Sequence, residues 1–596
     1  MSIIVQKFGG TSVADVGRFQ SAARRVVETK RQGHQVVVVV SARGKKTDEL
    51  INLAREISAN PPPREMDMLL ATGEQESVAL LAMAIRELGE KAISLTGAQI
   101  GIVTDSTHTL ARIQKISTDR ILNAFTENAI VVAAGFQGVD DAFNITTLGR
   151  GGSDTTATAL AAVLQAERCE IYTDVEGVFT TDPRMIKNAR KIERVSYDEM
   201  LELASLGAGV LHSRSIEFAK KYNVPIRVQS AHGDNEGTLI SDEPIPNIPS
   251  VTGIASIRDS ARVSLRELPD RPGMMSLIFE NMAKRKIAID MVVQDVSIDG
   301  RAEVSFTVPE EDLGETLTAA DEAVTTIGQG VVEHGTNVSK VSVVGEGMRT
   351  HSGVAAKMFR SLAERNVNVD MVTTSEIKIS VLVNRHDCDE AIVAVHGDFE
   401  LDRQPPATKM VDEELSLRTE RQIASRSDLE RDVVARLSSM EDIVITEVEL
   451  DTQQSRVTLS RLPDEPGVIA DIFSTVANAG ISVDMIVQNI SRHGKAHLSF
   501  TVPQLDVKHC VEVLEPVLKQ HGDSEVAFDK NIAKLSVMGI GLRSHTEVGK
   551  KMFRVFADAN INVQMTNTSE IRMSAVVSPD DGVKAHRALL EMLGEP

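Results

Sequence analysis

Tryptophan is absent, tyrosine occurs three times, and aromatic residues together make up 3% of the chain. Stacking platforms for nucleobases are therefore not its main business. Cysteine is as scarce: Cys169, Cys388 and Cys510 stand far apart, with neither the CxxC spacing of a zinc site nor the density of a disulfide scaffold. A reducing compartment fits that usage. Positive charge is in deficit, with 64 Lys and Arg against 85 Asp and Glu and a formal charge of −21, so no cationic surface is offered to nucleic acid or anionic lipid. No apolar run approaches the ~18 residues of a membrane span, and no basic stretch leads into a long apolar one at the start. The 14 His show no HExxH or similar spacing, so no metal site made by protein ligands is expected. The reading is of a cytoplasmic protein, with neither nucleic acid nor membrane as partner, that handles small molecules.

What is present is ample core material. The chain has 596 residues, 42% of them apolar, enough for about three to six domains. Ile3–Lys7 is a short apolar run followed by a glycine-rich turn, an amphipathic stretch from Asp15 to Arg31, and the buried-strand pattern Gln35-Val-Val-Val-Val-Val. The alternation continues through helical Met66–Glu87, a strand at Lys91–Leu95, helical Leu110–Glu127, a strand at Ala129–Ala134, helical Asp154–Gln165 and a strand at Arg168–Thr173. This predicts an α/β fold with a mainly parallel sheet and helices on both faces. It ends near Pro225–Gln229, and the Gly- and Pro-bearing stretch that follows reads as a boundary.

Beyond residue 250 the sequence repeats itself. Leu268-Pro-Asp-Arg-Pro-Gly273 returns as Leu462-Pro-Asp-Glu-Pro-Gly467, and Ser305-Phe-Thr-Val-Pro309 returns as Ser499-Phe-Thr-Val-Pro503, each 194 residues later. Lys340–Val383 aligns without a gap on Lys534–Val577 with 23 of 44 positions identical, which establishes a tandem duplication. Each copy predicts two ferredoxin-like βαββαβ units. The segment 401–441 between the copies is polar and charged, and reads as a partly helical linker.

Chemistry concentrates in the first half. Lys7-Phe-Gly-Gly-Thr-Ser-Val13 lies at the carboxyl end of a strand and opens into a helix, where N–H groups and a partial positive charge favour an anion. A lysine there suits the oxygens of a transferring phosphate; the plainer reading is an ordinary tight turn. Thr146-Thr-Leu-Gly-Arg-Gly-Gly-Ser-Asp154 makes a second such loop, whose Arg150 presents a fork suited to a carboxylate or to a surface acid. Glu74, beside a glycine at a helix start, suits a substrate ammonium or a helix cap. Ser41 to Thr47 follow the valine strand, and Tyr172-Thr-Asp174 to Phe179, with Thr181-Asp-Pro-Arg184, follow another. Gly345-Glu-Gly and Gly539-Ile-Gly lack the third glycine of a dinucleotide site and read as turns. His212 reads as a structural histidine and the 21 Met as core fillers.

In order along the chain, Lys7-Phe-Gly-Gly-Thr-Ser-Val, Thr72-Gly-Glu-Gln-Glu76, Gly135-Phe-Gln-Gly138, Thr147-Leu-Gly-Arg-Gly-Gly-Ser-Asp154 and Tyr172-Thr-Asp174 resemble the aspartate kinases of the amino acid kinase family over residues 1–245. The repeated LPDxPG and Val-Asp-Met units resemble ACT regulatory domains, with two ACT pairs where the family member has one. The resemblance implies a kinase domain at 1–245, ACT domains at 250–335, 336–400, 442–529 and 530–596, and Mg²⁺-dependent phosphorylation of the L-aspartate β-carboxylate by ATP to 4-phospho-L-aspartate. That reaction opens lysine, threonine and methionine biosynthesis. It further implies that Lys7, Gly10 and Asp154 serve catalysis, and that Ser41, Thr47, Glu74, Arg150, Gly151, Gly152 and Ser153 hold aspartate. Lys7, Phe8, Gly9, Gly10, Thr173, Asp174, Phe179 and Arg184 would hold ATP. Effector amino acids, lysine and threonine, would bind where ACT domains face each other. The positions implied are Asp270, Gly273, Met275 and Gln294 with Asn368 and Val369, and, from the second copy, Asp464, Gly467, Ile469 and Gln488 with Asn562 and Val563. A homodimer or higher homo-oligomer through the ACT domains is implied as well. Gly209 departs from the family's pattern, which carries a lysine there. Another carboxylate kinase of the same fold, or a non-catalytic amino-acid sensor, are the competing readings; a fused homoserine dehydrogenase is disfavoured because the residues after 250 are spent on the repeat.

Overall fold

The computed structural model describes residues 2–207, 209–233, 235–242, 249–296, 301–349, 351, 353–404, 439–492, 494–542 and 546–593. Most of the expected linker, 405–438, and most of the Pro-bearing boundary, 243–248, lie outside the described residues. Two compact units emerge, one formed by 1–179, 191–245 and 420–444, the other by 180–190, 246–419 and 445–596.

The first unit is built on an eight-stranded sheet. Its order is Arg194–Val195, Thr238–Ile240, Ile226–Ser230, Arg168–Thr173, Ile3–Phe8, Gln35–Val40, Ile130–Ala134 and Ala92–Leu95. All neighbours run parallel except Thr238–Ile240 against Ile226–Ser230. The valine run explains itself at period two: Val36, Val38 and Val40 join the core shared with helices Val16–Arg31 and Pro63–Glu87, and Val37 and Val39 are buried too. Helix Gly152–Val163 packs against the central Ile3–Phe8 strand. A second, four-stranded sheet runs Ile113–Ile116, Ile102–Thr104, Gln137–Val139 and Ile145–Thr147.

Three local expectations change. The stretch Leu110–Glu127 is not one helix: Ile113–Ile116 pairs as a strand with Ile102–Thr104, and the helix is Asp119–Thr126. Ile113 is fully buried in that strand, and the pairing overrides helix propensity. The third helix begins at Pro63, so Glu74 lies about three turns inside it and caps nothing. By length and composition this 25-residue helix is able to cross a membrane, yet half of its most apolar stretch is buried in the fold, and Asp67 and Glu74 sit in its interior.

In the second unit, each copy gives the expected strand and helix order. Gly253–Pro269, Met274–Lys284, Asp290–Val296, Arg301–Pro309, Leu313–Ile327 and Val331–Val344 form one βαββαβ module. Val331–Val344 then continues into Val354–Glu364, Met371–Ser375, Lys378–Asn384 and Cys388–Asp398. Gly253–Pro269 pairs with Val331–Val344 from Gly253↔Val344 to Arg266↔Val331, so the two modules of a copy share two long strands. One of these strands passes straight through 335/336, and Glu525–Ile540 does the same at 529/530.

Between copies the pairing is crossed. Asp290–Val296 meets Met565–Thr568 at Gln294↔Thr566, and Met371–Ser375 meets Ile486–Arg492 at Val372↔Gln488. The helices follow suit: Phe279 stacks on Phe553 with centroids 4.6 Å apart, and Phe359 on Phe473 at 5.2 Å. All twelve strands close into one ring.

Candidate active site and regulatory sites

At the carboxyl end of the central strand, Lys7 Nζ lies 2.5 Å from Asp154 Oδ1, with both side chains 12% exposed. Lys7 is fixed by its neighbours in the sheet, Val39 on one side and Ile171 on the other. Asp154 sits in the first turn of Gly152–Val163. Phe8 stacks on Tyr172 at 4.6 Å, and Gln6 Nε2 donates to buried Glu170 at 2.8 Å, contacts that tie the two strands together.

Glycine is required here by close approach. A Cβ at Gly10 would come 2.6 Å from Ala42 O, and one at Gly9 would stand 3.6 Å from Lys7 Nζ and cover it. The Gly9–Val13 turn and the Ala42–Gly44 turn are also tied by Gly44 N donating to Gly10 O at 2.9 Å. Gly151, at φ +70°, lies against His212, where a Cβ would meet the ring's own Cβ at 2.2 Å. Gly9 thus leaves Lys7 Nζ uncovered at the start of the turn, where backbone N–H groups favour an anion.

Glu74, on the long helix, is tied to the turn that packs on Gly10. Its Oε1 accepts from Ala42 N at 3.0 Å, while Oε2 is buried with no hydrogen-bond partner among the described residues. Burial pushes its pKa up to about 7, against the pull of the Ala42 N–H. Ser12, 3% exposed, likewise has a buried hydroxyl without a partner. Arg150 is exposed at the tip of its loop, with no ion pair among the described residues. Ser41 N donates to Phe8 O at 3.2 Å, and half-buried Thr47 begins the Lys46–Ile57 helix. Ser153 packs on Gly135, which has no room for a side chain of its own.

Thr173 ends its strand and donates to exposed Asp174 at 3.1 Å, and Phe179 closes that segment of the unit. Arg184 falls in residues 180–190, which group with the second unit, and its guanidinium forks onto Asp182 two residues away. Gly209 has φ +66°, a backbone that disfavours the family's lysine. His212 caps helix Ser213–Lys221, its Nδ1 accepting from Arg214 N, and burial lowers its pKa. Sequence reasoning missed Asp67, fully buried in the long helix, which accepts from Thr147 Oγ1 at 2.5 Å and Thr109 N at 3.1 Å and lies 2.7 Å from His108 Nδ1. It missed Arg214 as well. Both partner sets are remote in sequence, and no local motif marks them.

Crossing of the copies corrects the expected regulatory partners. Asp270 accepts from Asn562 Nδ2 at 2.8 Å, not from Asn368, and Gln294 Nε2 donates to Val563 O at 2.5 Å, not to Val369. Asn368 instead donates to Asp464 at 2.8 Å, and Gln488 to Val369 O at 2.9 Å. Each site thus takes its loop from one copy and its Asn-x-Asn-Val segment from the other. Gly273, Met275, Gln294, Asn562 and Val563 line one cavity together. Gly467 and Ile469 hold the corresponding loop positions in the second copy. In both sites the glutamine's Oε1 is buried and without a donor among the described residues.

These two arrangements belong to a recognisable class. The Amino acid kinase family matches residues 2–230, and the ACT domain matches residues 341–399, 457–521 and 535–593. Aspartokinase 2 of Bacillus subtilis (strain 168) is 50% identical over 408 residues, which is 68% of this chain and all of the relative. The crystal structure of aspartate kinase from Synechocystis is similar over 99% of this chain and 98% of that one, at 37% identity and a TM-score of 0.52. The E. coli aspartokinase III structure in complex with aspartate and ADP covers 66% of this chain and 99% of its own, at 25% identity and a TM-score of 0.59. The chain belongs to the aspartokinase family and is an aspartate kinase with C-terminal ACT domains.

Proposed function

We propose that the chain transfers the γ-phosphoryl of ATP to the β-carboxylate of L-aspartate, giving 4-phospho-L-aspartate and ADP, the entry to lysine, threonine and methionine biosynthesis in the cytoplasm. The observation that carries this reading is Glu74 Oε2, a buried carboxylate oxygen without a donor among the described residues, on a side chain whose other oxygen accepts from Ala42 N in the turn packed on Gly10. A substrate ammonium supplies the missing donor. Arg150 takes the α-carboxylate with its fork, Ser41 and Thr47 line the same side, and the Gly151–Ser153 backbone closes over the ligand. A β-carboxylate is ionised at neutral pH, so no general base is required. One carboxylate oxygen attacks the γ-phosphorus, the bond to the bridging oxygen breaks, and ADP leaves with that electron pair. Lys7 Nζ and the Gly9 and Gly10 backbone offset the charge that builds on the phosphoryl oxygens, while Asp154 orients Lys7. Thr173, Asp174 and Phe179 flank the nucleotide.

Among the described residues no three His, Cys, Asp or Glu side chains gather as a metal site. Asp154 is held by Lys7 and Asp174 by Thr173. The protein groups do not form a cage for Mg²⁺, which enters as the counterion of ATP, and none of these steps is routed through it. The deciding experiment incubates the protein with ATP and aspartate and traps the acyl phosphate with hydroxylamine. Turnover with glutamate in place of aspartate supports another carboxylate kinase; no turnover with any amino acid supports a sensor.

The two crossed sites serve effector amino acids, lysine and threonine, and the ACT regions hold a homodimer or larger assembly. The structure of E. coli aspartokinase III in complex with lysine and aspartate shares this fold at 24% identity. The unpartnered Gln294 and Gln488 oxygens suit an effector's ammonium. Gln294→Ala and Gln488→Ala are each expected to weaken inhibition by one amino acid about tenfold with uninhibited kcat unchanged. Inhibition by both amino acids surviving intact in both variants removes the model.

A further inference from the structure

The end of the segment joining the two regulatory copies returns to the kinase unit. Ser439–Asp442 is a tight turn, with Asp442 N donating to Ser439 O at 3.2 Å. It lies along the edge strand Ile113–Ile116: Met440 N donates to Gln114 O at 3.1 Å, and Ile113 N to Glu441 Oε1 at 2.8 Å. Helix Ser213–Lys221 holds the turn from its other side. Lys221 Nζ donates to Met440 O at 2.7 Å and to Asp442 O at 2.6 Å, and Tyr222 OH donates to Met440 O at 3.1 Å.

Glu441 is the centre of this strap. Its carboxylate is 8% exposed and takes the Arg214 fork, with Nη2 at 2.8 Å and Nε at 3.2 Å from Oε2. The same guanidinium donates to two loop carbonyls, Leu148 O and, at 3.0 Å, Ala111 O. Leu148 immediately precedes Gly149 at φ +78°, Arg150, and Gly151 at φ +70°. A loop with two left-handed glycines has little side chain with which to fix itself, so its position depends on ties made from outside.

We propose that Glu441 is a positioning residue for the reaction: through Arg214 it fixes the Leu148 and Ala111 carbonyls, and with them the loop that presents Arg150 to the amino-acid substrate. This rests on the proposed role of Arg150 in holding aspartate. Two residues beyond Asp442 the Val444–Pro463 strand begins, the first strand of the second regulatory copy. The strap therefore gives that copy a covalent handle on the substrate loop.

The test compares the full chain with Glu441→Gln and Glu441→Asp. The glutamine variant keeps the shape and loses the charge that pairs with the fork. It is expected to raise aspartate KM about tenfold with kcat within about twofold, and to speed amide hydrogen exchange across residues 146–154 while sparing the Ile3–Phe8 strand. Glu441→Asp, which retains the charge, restores part of both. Unchanged exchange at 146–154 together with unchanged KM in Glu441→Gln overturns the proposal, and the exchange measurement does so whatever the substrate. A failure of the proposed reaction itself shows separately, as absent aspartate turnover in the unmodified protein.

Discussion

Replacing Lys7 with methionine is expected to lower kcat about 10²–10³-fold while aspartate KM changes less than about threefold. Methionine keeps the length of the side chain and removes the charge. The ammonium lies at the strand end beside Gly9 and Gly10, of which Gly10 has no room for a side chain, and among the described residues its ion-pair partner is Asp154 at 2.5 Å. That pair holds Nζ in place before any nucleotide arrives, so no reorganisation is needed when charge moves onto the phosphoryl oxygens. An interaction that strengthens only as the phosphoryl transfers shows in kcat, not in the affinity for aspartate. The single variant leaves Asp154 as a lone charge in a site 12% exposed, which also costs stability. The double variant Lys7→Met with Asp154→Asn removes that complication, because both charges go together. Steady-state kinetics on both proteins decide the matter. A normal kcat with only a raised KM for ATP would show that Lys7 anchors nucleotide and does nothing in the transfer.

The α/β half was legible because its information is local. A five-valine strand, glycines at strand ends and a helix opening at each loop follow from periodicity and close approach. Glu74 was legible as a residue but not by position, since the helix was read from Met66 and Glu74 was placed at a helix start. The preceding Pro63 makes the first turn, which turns the capping alternative away and leaves a buried acid with a free oxygen. The duplication was legible from identity alone, yet identity also hid the crossing. Asn368 and Asn562 are the same residue type at equivalent positions, so Asp270 reads equally well against either, and only the strand pairing of Gln294 with Thr566 distinguishes them. Glu441 was beyond sequence reasoning: its partner lies 227 residues away, and an acid in a charged segment carries no pattern.

Crossing also changes what a regulatory site is in this chain. When each proposed effector site draws its loop from one copy and its asparagine segment from the other, neither copy alone completes one. Occupying one site therefore bears on strands of both copies, because Asp290–Val296 pairs with Met565–Thr568 and Met371–Ser375 with Ile486–Arg492. Two sites that share strands are linked by construction, and effects of two effectors on such a ring need not add.

Aspartate kcat/KM is expected to fall about tenfold per pH unit below pH 7, and Glu74→Gln to flatten that profile while raising aspartate KM by about 10²-fold. Glu74 is 3% exposed, and burial, only partly offset by the Ala42 N–H, pushes its pKa up to about 7 from the ordinary glutamate value of 4.5. The sign follows from linkage. Between pH 4.5 and 7 the folded protein binds a proton that the unfolded chain has lost, so stability falls as pH rises through that window. Above pH 7 the ligand-free protein carries the whole cost of a buried carboxylate, about 3 kcal/mol. A substrate ammonium against Oε2 offsets that cost, and it does so only when Glu74 is ionised. Acid therefore removes the binding group before it touches the substrate's own charge, whose β-carboxylate titrates far lower. Glutamine carries no charge to desolvate, so the variant should be more stable than the unmodified protein at pH 8 without ligand and bind aspartate far worse. Thermal melts and pH profiles on the two proteins read the two effects separately. If the variant keeps the same pH dependence, or melts lower at pH 8, Glu74 is not the ammonium site.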